Sequence, residues 1–187
     1  MHLKKLILAT CLLTNTLMAE TSVGLNINED DLEISAEFNI NDMAYYSSGT
    51  NYILSINYLY MDEDHLATVG FSGENSLQGI EDLSMAFGAK LVFRNDFLAL
   101  PLMAKAKYTL PFTDTVPITS MIATVAYAPS VLSFSNAASY TEFRLEADME
   151  VISNIHLFTG YRNIDTDYEE EDSKFNESLY LGMKLSF

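Results

Sequence analysis

The sequence predicts an all-β protein, an antiparallel up-and-down transmembrane β-barrel of ten strands, with eight strands as the alternative. Three observations carry this prediction. Apolar residues recur at every second position in segments of about ten residues that turn-forming residues separate. Charged residues within these segments lie almost entirely on the face opposite the apolar one. The printed chain also closes on such an alternating segment, with Phe187 as its last residue.

The ten candidate strands are spread over the chain from residue 21 onward. Pro101 alone among the prolines lies inside a segment, which conflicts with a central strand because proline donates no ladder hydrogen bond. No apolar stretch after residue 19 approaches the roughly 18 residues that a membrane helix needs. In chain order the segments are TSVGLNIN, LEISAEFNIN, NYILSINYLYM, HLATVGFSG, EDLSMAFGAKLVFR, FLALPLMAKAKYTL, PITSMIATVAYA, SYTEFRLEADMEV, NIHLFTGYRNI and ESLYLGMKLSF.

The first residues have the three-part layout of a secretory signal peptide. Lys4 and Lys5 precede an apolar run over residues 6–18, and Ala19 comes just before a polar sequence. We therefore predict a signal peptide at 1–19 and an outer-membrane β-barrel domain at 20–187. Cys11 is the only cysteine and lies within the predicted signal peptide, so the mature chain would form no disulfide.

The chain is acidic, with a formal net charge of −16 over 187 residues. This charge argues against a nucleic-acid partner, which requires a basic surface. A single composition regime without linkers or low-complexity segments indicates one domain.

The charges identify which face of each strand is apolar. In residues 143–151 the odd positions are apolar, whereas the even positions include Arg144, Glu146 and Asp148. A charge on the lipid face of a barrel costs roughly 2–4 kcal/mol at mid-depth, so the charged face is assigned to the lumen. Buried charges need partners. We expect a lumenal ion-pair network among Glu33, Glu37, Lys90, Lys105, Arg144, Glu146, Arg162 and Lys184.

The final segment resembles the terminal signature of bacterial outer-membrane barrels, which end in an aromatic residue after alternating apolar positions. That resemblance implies that the barrel-assembly machinery reads this strand, which would also pair with the first strand to close the barrel. The matching residues are Leu179, Leu181, Met183, Leu185 and Phe187.

A narrower resemblance begins at Tyr127 and covers about a third of the chain. Its elements are a Tyr-x-Pro-x-x-Leu stretch before a Ser-Tyr strand, a Gly-Tyr-Arg strand and a Tyr-x-Gly strand ending in Phe. The chain resembles the YfaZ family of outer-membrane proteins, which implies a small barrel without an assigned reaction or ligand. The residues that match are Tyr127, Pro129, Leu132, Tyr140, Gly160, Tyr161, Arg162, Tyr180, Gly182 and Phe187.

No established catalytic, nucleotide-binding or metal-spacing motif is present in the sequence. We therefore expect no catalytic, cofactor-binding or metal-binding residues and no cofactor. The acidic run at residues 169–172 predicts a hydrated loop, with loose Ca²⁺ or Mg²⁺ bridging to lipopolysaccharide as the weaker hypothesis.

The function expected from these patterns is that of a monomeric outer-membrane barrel of a Gram-negative bacterium. Its lumen would be charged and mostly filled by side chains, for a structural role or a narrow channel. Its partners would be outer-membrane lipid and lipopolysaccharide. One alternative is an outer-membrane enzyme acting on lipid or peptide, with Asp62, Asp64 and His65 as candidates. The other is a soluble periplasmic barrel that binds an apolar ligand.

Overall fold

A computed structural model describes residues 21–41, 49–61, 64–111, 117–168 and 174–187 of the protein. Within these residues the chain forms mainly strands, with a short 3₁₀ turn at Ser130–Leu132. No helix among the described residues is long and apolar enough to cross a membrane. The strands are β1 (Thr21–Ile27), β2 (Asp31–Asn39), β3 (Asn51–Met61), β4 (Asp64–Ser76), β5 (Leu83–Arg94), β6 (Phe97–Ala99), β7 (Leu102–Thr109), β8 (Thr119–Ala128), β9 (Ser133–Ser135), β10 (Ala137–Ile152), β11 (Ile155–Tyr168) and β12 (Lys174–Ser186).

Ten long strands close into one antiparallel barrel. Neighbours in sequence pair with each other, and β1 pairs with β12 to complete the ring. The closure runs to the end of the chain, because the Phe187 N–H donates to the Thr21 carbonyl oxygen at 2.8 Å. A closed ring leaves no long strand edge unpaired, which a membrane barrel requires. The predicted ten-stranded barrel is confirmed, and the eight-stranded alternative is wrong.

The two short strands explain the proline conflict. Residues 97–110 were predicted as one strand, but Pro101 divides this segment into β6 and β7, which keep the same register against β5. On the side away from β5, the neighbouring strand changes at Pro101: β7 pairs with β8, whereas β6 pairs with β9. The Pro101 carbonyl oxygen still accepts a hydrogen bond from the Lys90 N–H of β5 at 3.1 Å, so proline removes only the return bond, at the point where the pairing with the other neighbour changes.

The two ends of the barrel differ. Thr21 and Ser186 lie at what we call the terminal end, and the opposite end is called the distal end. β10, β11 and β12 have 16, 14 and 13 residues, whereas β1 and β2 have 7 and 9. Pairing between β1 and β12 stops at Ile27 and Leu181, so the first part of β12 extends beyond the β1–β2 hairpin.

We call the distal parts of these three long strands (residues 137–141, 163–168 and 174–177) the projecting wall. The sequence predicted a loop at residues 165–176, but only residues 169–173 lie between β11 and β12. The loop predicted at 129–138 likewise contains the 3₁₀ turn, β9 and the start of β10. The prediction missed these extensions because the apolar residues move there from the outward positions of the strands to the inward positions.

Over most of its height the barrel carries large apolar side chains on its outer face. In a protein surrounded by water a contiguous apolar surface of this extent would be a severe liability, whereas lipid solvates it well. The apolar belt includes Leu25, Ile34, Ile56, Tyr58, Val69, Phe71, Phe87, Leu91, Leu102, Val125, Phe143, Leu145, Leu157, Leu179, Leu181 and Met183, all of which are exposed.

The polarity of the two faces reverses in the projecting wall. Its outward positions hold Thr141, Asn163 and Asp165, whereas the inward positions Ile164 and Phe175 are buried. Inside the distal end these inward residues join a continuous hydrophobic core. Its members are Leu59, Leu66, Val92, Phe97, Ala99, Ala126, Ala128, Ala137, Tyr140, Ile164 and Phe175.

Candidate functional site in the barrel lumen

The interior of the barrel has three layers along its axis. The distal hydrophobic core fills the first layer. A layer of buried charged side chains lies next to it, and a polar cavity continues from these charges toward the terminal end. The lumen was predicted to be charged and mostly filled by side chains; the charged side chains lie in the second layer and around the cavity, whereas the distal end is filled by apolar side chains.

Glu33 of β2 is at the centre of the charged layer and is 1% exposed. Arg144 of β10 binds it in a bidentate pair, with both N–H···O distances at 2.8 Å. Arg162 donates to the Glu33 Oε2 atom at 2.6 Å, and the Asn26 amide donates to the same oxygen at 2.9 Å. Both carboxylate oxygens are thus satisfied by charged donors, as a buried carboxylate requires.

A second carboxylate extends this layer toward β5. Glu142 accepts a hydrogen bond from the Arg144 Nε at 2.6 Å and also contacts Lys90 and the Tyr140 hydroxyl. Arg144 therefore holds two carboxylates together, one on its own strand and one on β2. The three cations and the carboxylates alternate in sign across the lumen.

Arg162 of β11 is fully buried. It donates to Asp31 Oδ1 at 2.7 Å and to Asn176 Oδ1 at 2.9 Å, and its guanidinium lies over the Tyr180 ring at 5.1 Å. These contacts come from two other strands, with Asp31 on β2 and both Asn176 and Tyr180 on β12. We call the resulting sequence of alternating charges the central ion chain; its members in spatial order are Lys90, Glu142, Arg144, Glu33, Arg162 and Asp31.

The cavity on the terminal side of the central ion chain has a volume of about 140 Å³. We call it the vestibule. Its wall carries the hydroxyl groups of serine and threonine together with Lys105, Lys184, Glu37 and Glu146. A volume of this size holds several water molecules but no oligosaccharide.

The ion pairs of the vestibule are separate from the central ion chain. Lys105 lies 3.3 Å from Glu37, and Lys184 lies 2.8 Å from Asp148. Asp148 also contacts His156 Nδ1 at 2.8 Å. Glu146 accepts a hydrogen bond from the Tyr180 hydroxyl at 3.1 Å.

The eight residues proposed for the lumenal network therefore fall into two sets. Glu33, Lys90, Arg144 and Arg162 come together in the central ion chain, whereas the other four lie around the vestibule. Sequence reasoning missed Asp31, Glu142 and Asp148 as ion-pair partners. Glu142 and Asp148 share the lumenal face with Arg144, so their position in the alternation was a usable signal. Asp31 was assigned to a turn, although it begins β2.

The candidates for an enzyme site are not assembled into a catalytic pair. Both Arg94 Nη2 and Nε donate to Asp64 Oδ2, at 2.7 and 2.9 Å. The His65 ring lies on the outer face and stacks on Tyr58, with ring centroids 6.0 Å apart. Asp62 and the acidic run at 169–172 lie outside the described residues. Among the residues that the structure describes, no group of three or more His, Cys, Asp or Glu side chains could hold a metal ion.

The terminal strand has the faces that the sequence predicted. The outward residues include Leu179, which is 73% exposed, and Phe187, which is 65% exposed. Tyr180 and Lys184 face the lumen, where Lys184 reaches Asp148. Lys184 and Leu185 also pair with Gly24 and Val23 of β1. The same strand therefore contributes to the apolar belt, the lumen and the closure.

The closed ten-stranded barrel, the apolar outer belt and the charged lumen place the chain in the class of outer-membrane porin-like β-barrels. Among solved structures, the chain is similar to a KdgM porin in complex with disordered oligogalacturonate, at 9% identity with a TM-score of 0.51, covering 90% of this chain and 99% of that chain. A second KdgM porin structure has 8% identity and a TM-score of 0.47, with the same coverage. A NanC porin structure has 7% identity and a TM-score of 0.40, covering 90% and 99% of the two chains.

The chain belongs to the family described as YfaZ precursor, whose model matches residues 3–187. The resemblance found in the last third of the sequence is thereby confirmed over nearly the whole chain. A comparison with curated protein sequences finds no significant match.

Proposed function

We propose that the protein is an outer-membrane barrel that is closed to solutes and whose role is structural. Its terminal end faces the periplasm, and the projecting wall stands outside the cell. One observation supports this proposal: a core of buried apolar side chains occupies the distal end of the lumen, and the buried central ion chain crosses the lumen next to it. The narrow channel is the second candidate, and the polar vestibule favours it.

The placement in the membrane rests on the apolar belt. Outward residues are apolar from the terminal end up to Phe143 on β10 and Leu179 on β12, and polar beyond them. In this placement the apolar belt contacts lipid and the polar outer face of the projecting wall contacts water, so each surface is in a medium of matching polarity. Lipid and lipopolysaccharide are therefore the proposed surroundings, and the row that ends in Phe187 is the proposed signal for the barrel-assembly machinery.

Transport of an acidic oligosaccharide is poorly supported for this chain. The KdgM porin to which it is similar is described in complex with oligogalacturonate. Such a ligand needs unpaired cations along an open lumen. Here Arg144, Arg162 and Lys90 already bind carboxylates of the protein, and the distal end is filled.

Planar-bilayer recording of the refolded protein tests the closed barrel. The wild-type protein should give no conductance steps above the bare bilayer. A triple variant, Phe97→Ala with Tyr140→Ala and Phe175→Ala, removes large side chains from the distal core and should introduce current fluctuations. Phe143→Ala on the outer face of β10 is the matched control and should give no conductance steps.

Each variant is first checked for folding by its heat-dependent mobility on a denaturing gel. Regular, ion-selective steps from the wild-type protein would contradict a closed barrel and favour the narrow channel. The absence of current fluctuations from a correctly folded triple variant would show that the distal core is not what closes the lumen.

A further inference from the structure

We propose that the tip of the projecting wall is a salt-sensitive lid over the distal mouth of the lumen, held closed by Arg94 and Asp64. The tip consists of residues 165–168 of β11 and 174–176 of β12, which we call the distal lid. This inference rests on the proposed function only in taking the closed lumen as the resting state. The lid controls whether water reaches the distal core.

A β-bulge bends the distal lid inward. Ile164 of β11 pairs with Asn176 of β12. The next residue of β11, Asp165, pairs with Lys174, so Phe175 is an extra residue on β12. A bulge of this kind bends its strand and re-aims the side chains around it. Phe175 and Asn176 are consecutive, yet both are buried, Phe175 in the distal core and Asn176 against lumenal side chains. The bulge therefore turns the end of β12 over the lumen.

The distal lid is attached to the barrel along one side. β11 stays paired with β10 as far as Tyr168 and Ala137. On the other side, the pairing of β12 with β1 stops at Leu181, so within the described chain no strand pairs with residues 174–180 on that side. A hairpin tip that is attached along one side has few contacts to break when it opens, and the bulge provides a hinge.

Arg94 of β5 contacts three residues of the distal lid. Its Nη1 donates to the Thr166 hydroxyl. Its guanidinium lies 5.4 Å from the centroid of the Tyr168 ring and 4.7 Å from that of the Phe175 ring. A guanidinium within about 6 Å of an aromatic ring is attracted to that ring. Arg94 therefore attracts the inner sides of both strands of the lid.

Asp64 of β4 holds the Arg94 side chain in place. The hydrogen bonds from Nη2 and Nε to Asp64 Oδ2 fix the direction in which the guanidinium faces. Three strands, β1, β2 and β3, separate β4 from β12 around the barrel. The pair of Asp64 and Arg94, which we call the latch, thus connects opposite sides of the distal mouth.

The latch is more open to solvent than the central ion chain. The Arg94 and Asp64 side chains are 15% and 29% exposed, whereas those of Arg162 and Asp31 are fully buried. Dissolved salt screens a partly exposed ion pair much more than a buried one. We therefore expect salt to weaken the latch and to leave the central ion chain intact.

Amide hydrogen exchange of the refolded barrel, measured by mass spectrometry at low and high salt, tests the lid. Raising the ionic strength from about 0.01 M to about 1 M shortens the Debye length from about 30 Å to about 3 Å. In the wild-type protein this change should accelerate exchange in residues 164–168 and 174–177 at least threefold. Residues 181–186 of β12 are the internal reference and should not change. An unchanged lid, or equal acceleration along the whole of β12, would overturn the proposal.

Asp64→Asn keeps the shape of the side chain and removes its charge. It should accelerate exchange of the lid at least threefold at low salt and abolish the response to added salt. Glu177→Gln is the matched control, because it breaks the exposed pair with Lys174 in the same wall and leaves Arg94 and Asp64 in place. The control should exchange as the wild-type protein does.

Unchanged exchange in folded Asp64→Asn would overturn the latch, and if this variant does not fold, the salt dependence of the wild-type protein decides. Exchange is measured without current. A conducting wild-type barrel would therefore contradict the closed-barrel proposal without altering the test of the lid.

Discussion

The projecting wall and the terminal half of the barrel use the same two-residue alternation in opposite senses. On β12, Leu181 faces outward and Lys184 faces the lumen. Farther along the same strand, Phe175 is buried inside and Glu177 is exposed outside. On β11, Leu157 faces outward near the terminal end, whereas Asp165 does so near the distal end.

This reversal shows that each face of a strand adapts to what surrounds it. In the membrane placement proposed above, the terminal half has lipid outside and charged side chains inside. The projecting wall then has water outside and a hydrophobic core inside, as in an ordinary soluble β-protein. The charged layer lies where the two arrangements meet. Four predictions test this comparison, from the largest expected effect to the smallest.

Arg162→Met should give the largest loss of stability. It leaves Asp31 and Glu33 buried without their shared cation, which costs about 3–5 kcal/mol when a buried pair is broken. The measurement is the free energy of unfolding in urea from detergent micelles. Lys184→Met, in a pair that is partly exposed, is the control and should lose less. Equal losses would mean that burial does not distinguish the two layers.

Ile164→Ala should destabilise the barrel by about 2–5 kcal/mol, because Ile164 is fully buried in the distal core. Leu157→Ala on the same strand faces outward and should cost less, since lipid or detergent fills the space that the side chain leaves. The same urea titration compares the two variants. A larger loss for Leu157→Ala would contradict the assignment of inside and outside along β11.

Leu145→Arg should cost about 2–4 kcal/mol if the residue lies near mid-depth in the bilayer. Thr141→Arg, at an exposed outward position of the projecting wall on the same strand, should change stability by about 0.5 kcal/mol or less. Refolding into lipid vesicles followed by urea titration measures both. Similar costs at the two positions would place the whole outer face in one medium.

The exposed ion pair between Lys174 and Glu177 should give the smallest effect. Both residues belong to the projecting wall and are open to water, where solvent and salt screen their attraction. A double-mutant cycle with Lys174→Ala and Glu177→Ala should show no coupling beyond experimental error at physiological salt. A clear coupling that persists in high salt would indicate that this part of β12 is shielded from water.

Much of the lumen could be read from the sequence, because a side chain's face follows from its position in the alternation. Arg144, Glu33 and Arg162 were placed on the lumenal face in this way. Their grouping could not be read, since Arg144 meets Glu33 across 111 positions of the chain. Such contacts depend on the register between strands and on barrel closure. Asp64 was left outside the predicted strand, whereas it begins β4 next to His65, and adjacent residues of a strand face opposite sides.

The sequence by itself indicated the amphipathic segments of the barrel and the separation of charge from apolar surface, because these follow from local periodicity, and it left eight strands as an alternative to ten. It also placed the apolar row from Leu179 to Phe187 on one face. Only the tertiary structure decided which parts of the lumen are filled by core and which by ion pairs. It also revealed the projecting wall, because the medium on each side of a strand depends on how far its neighbours extend.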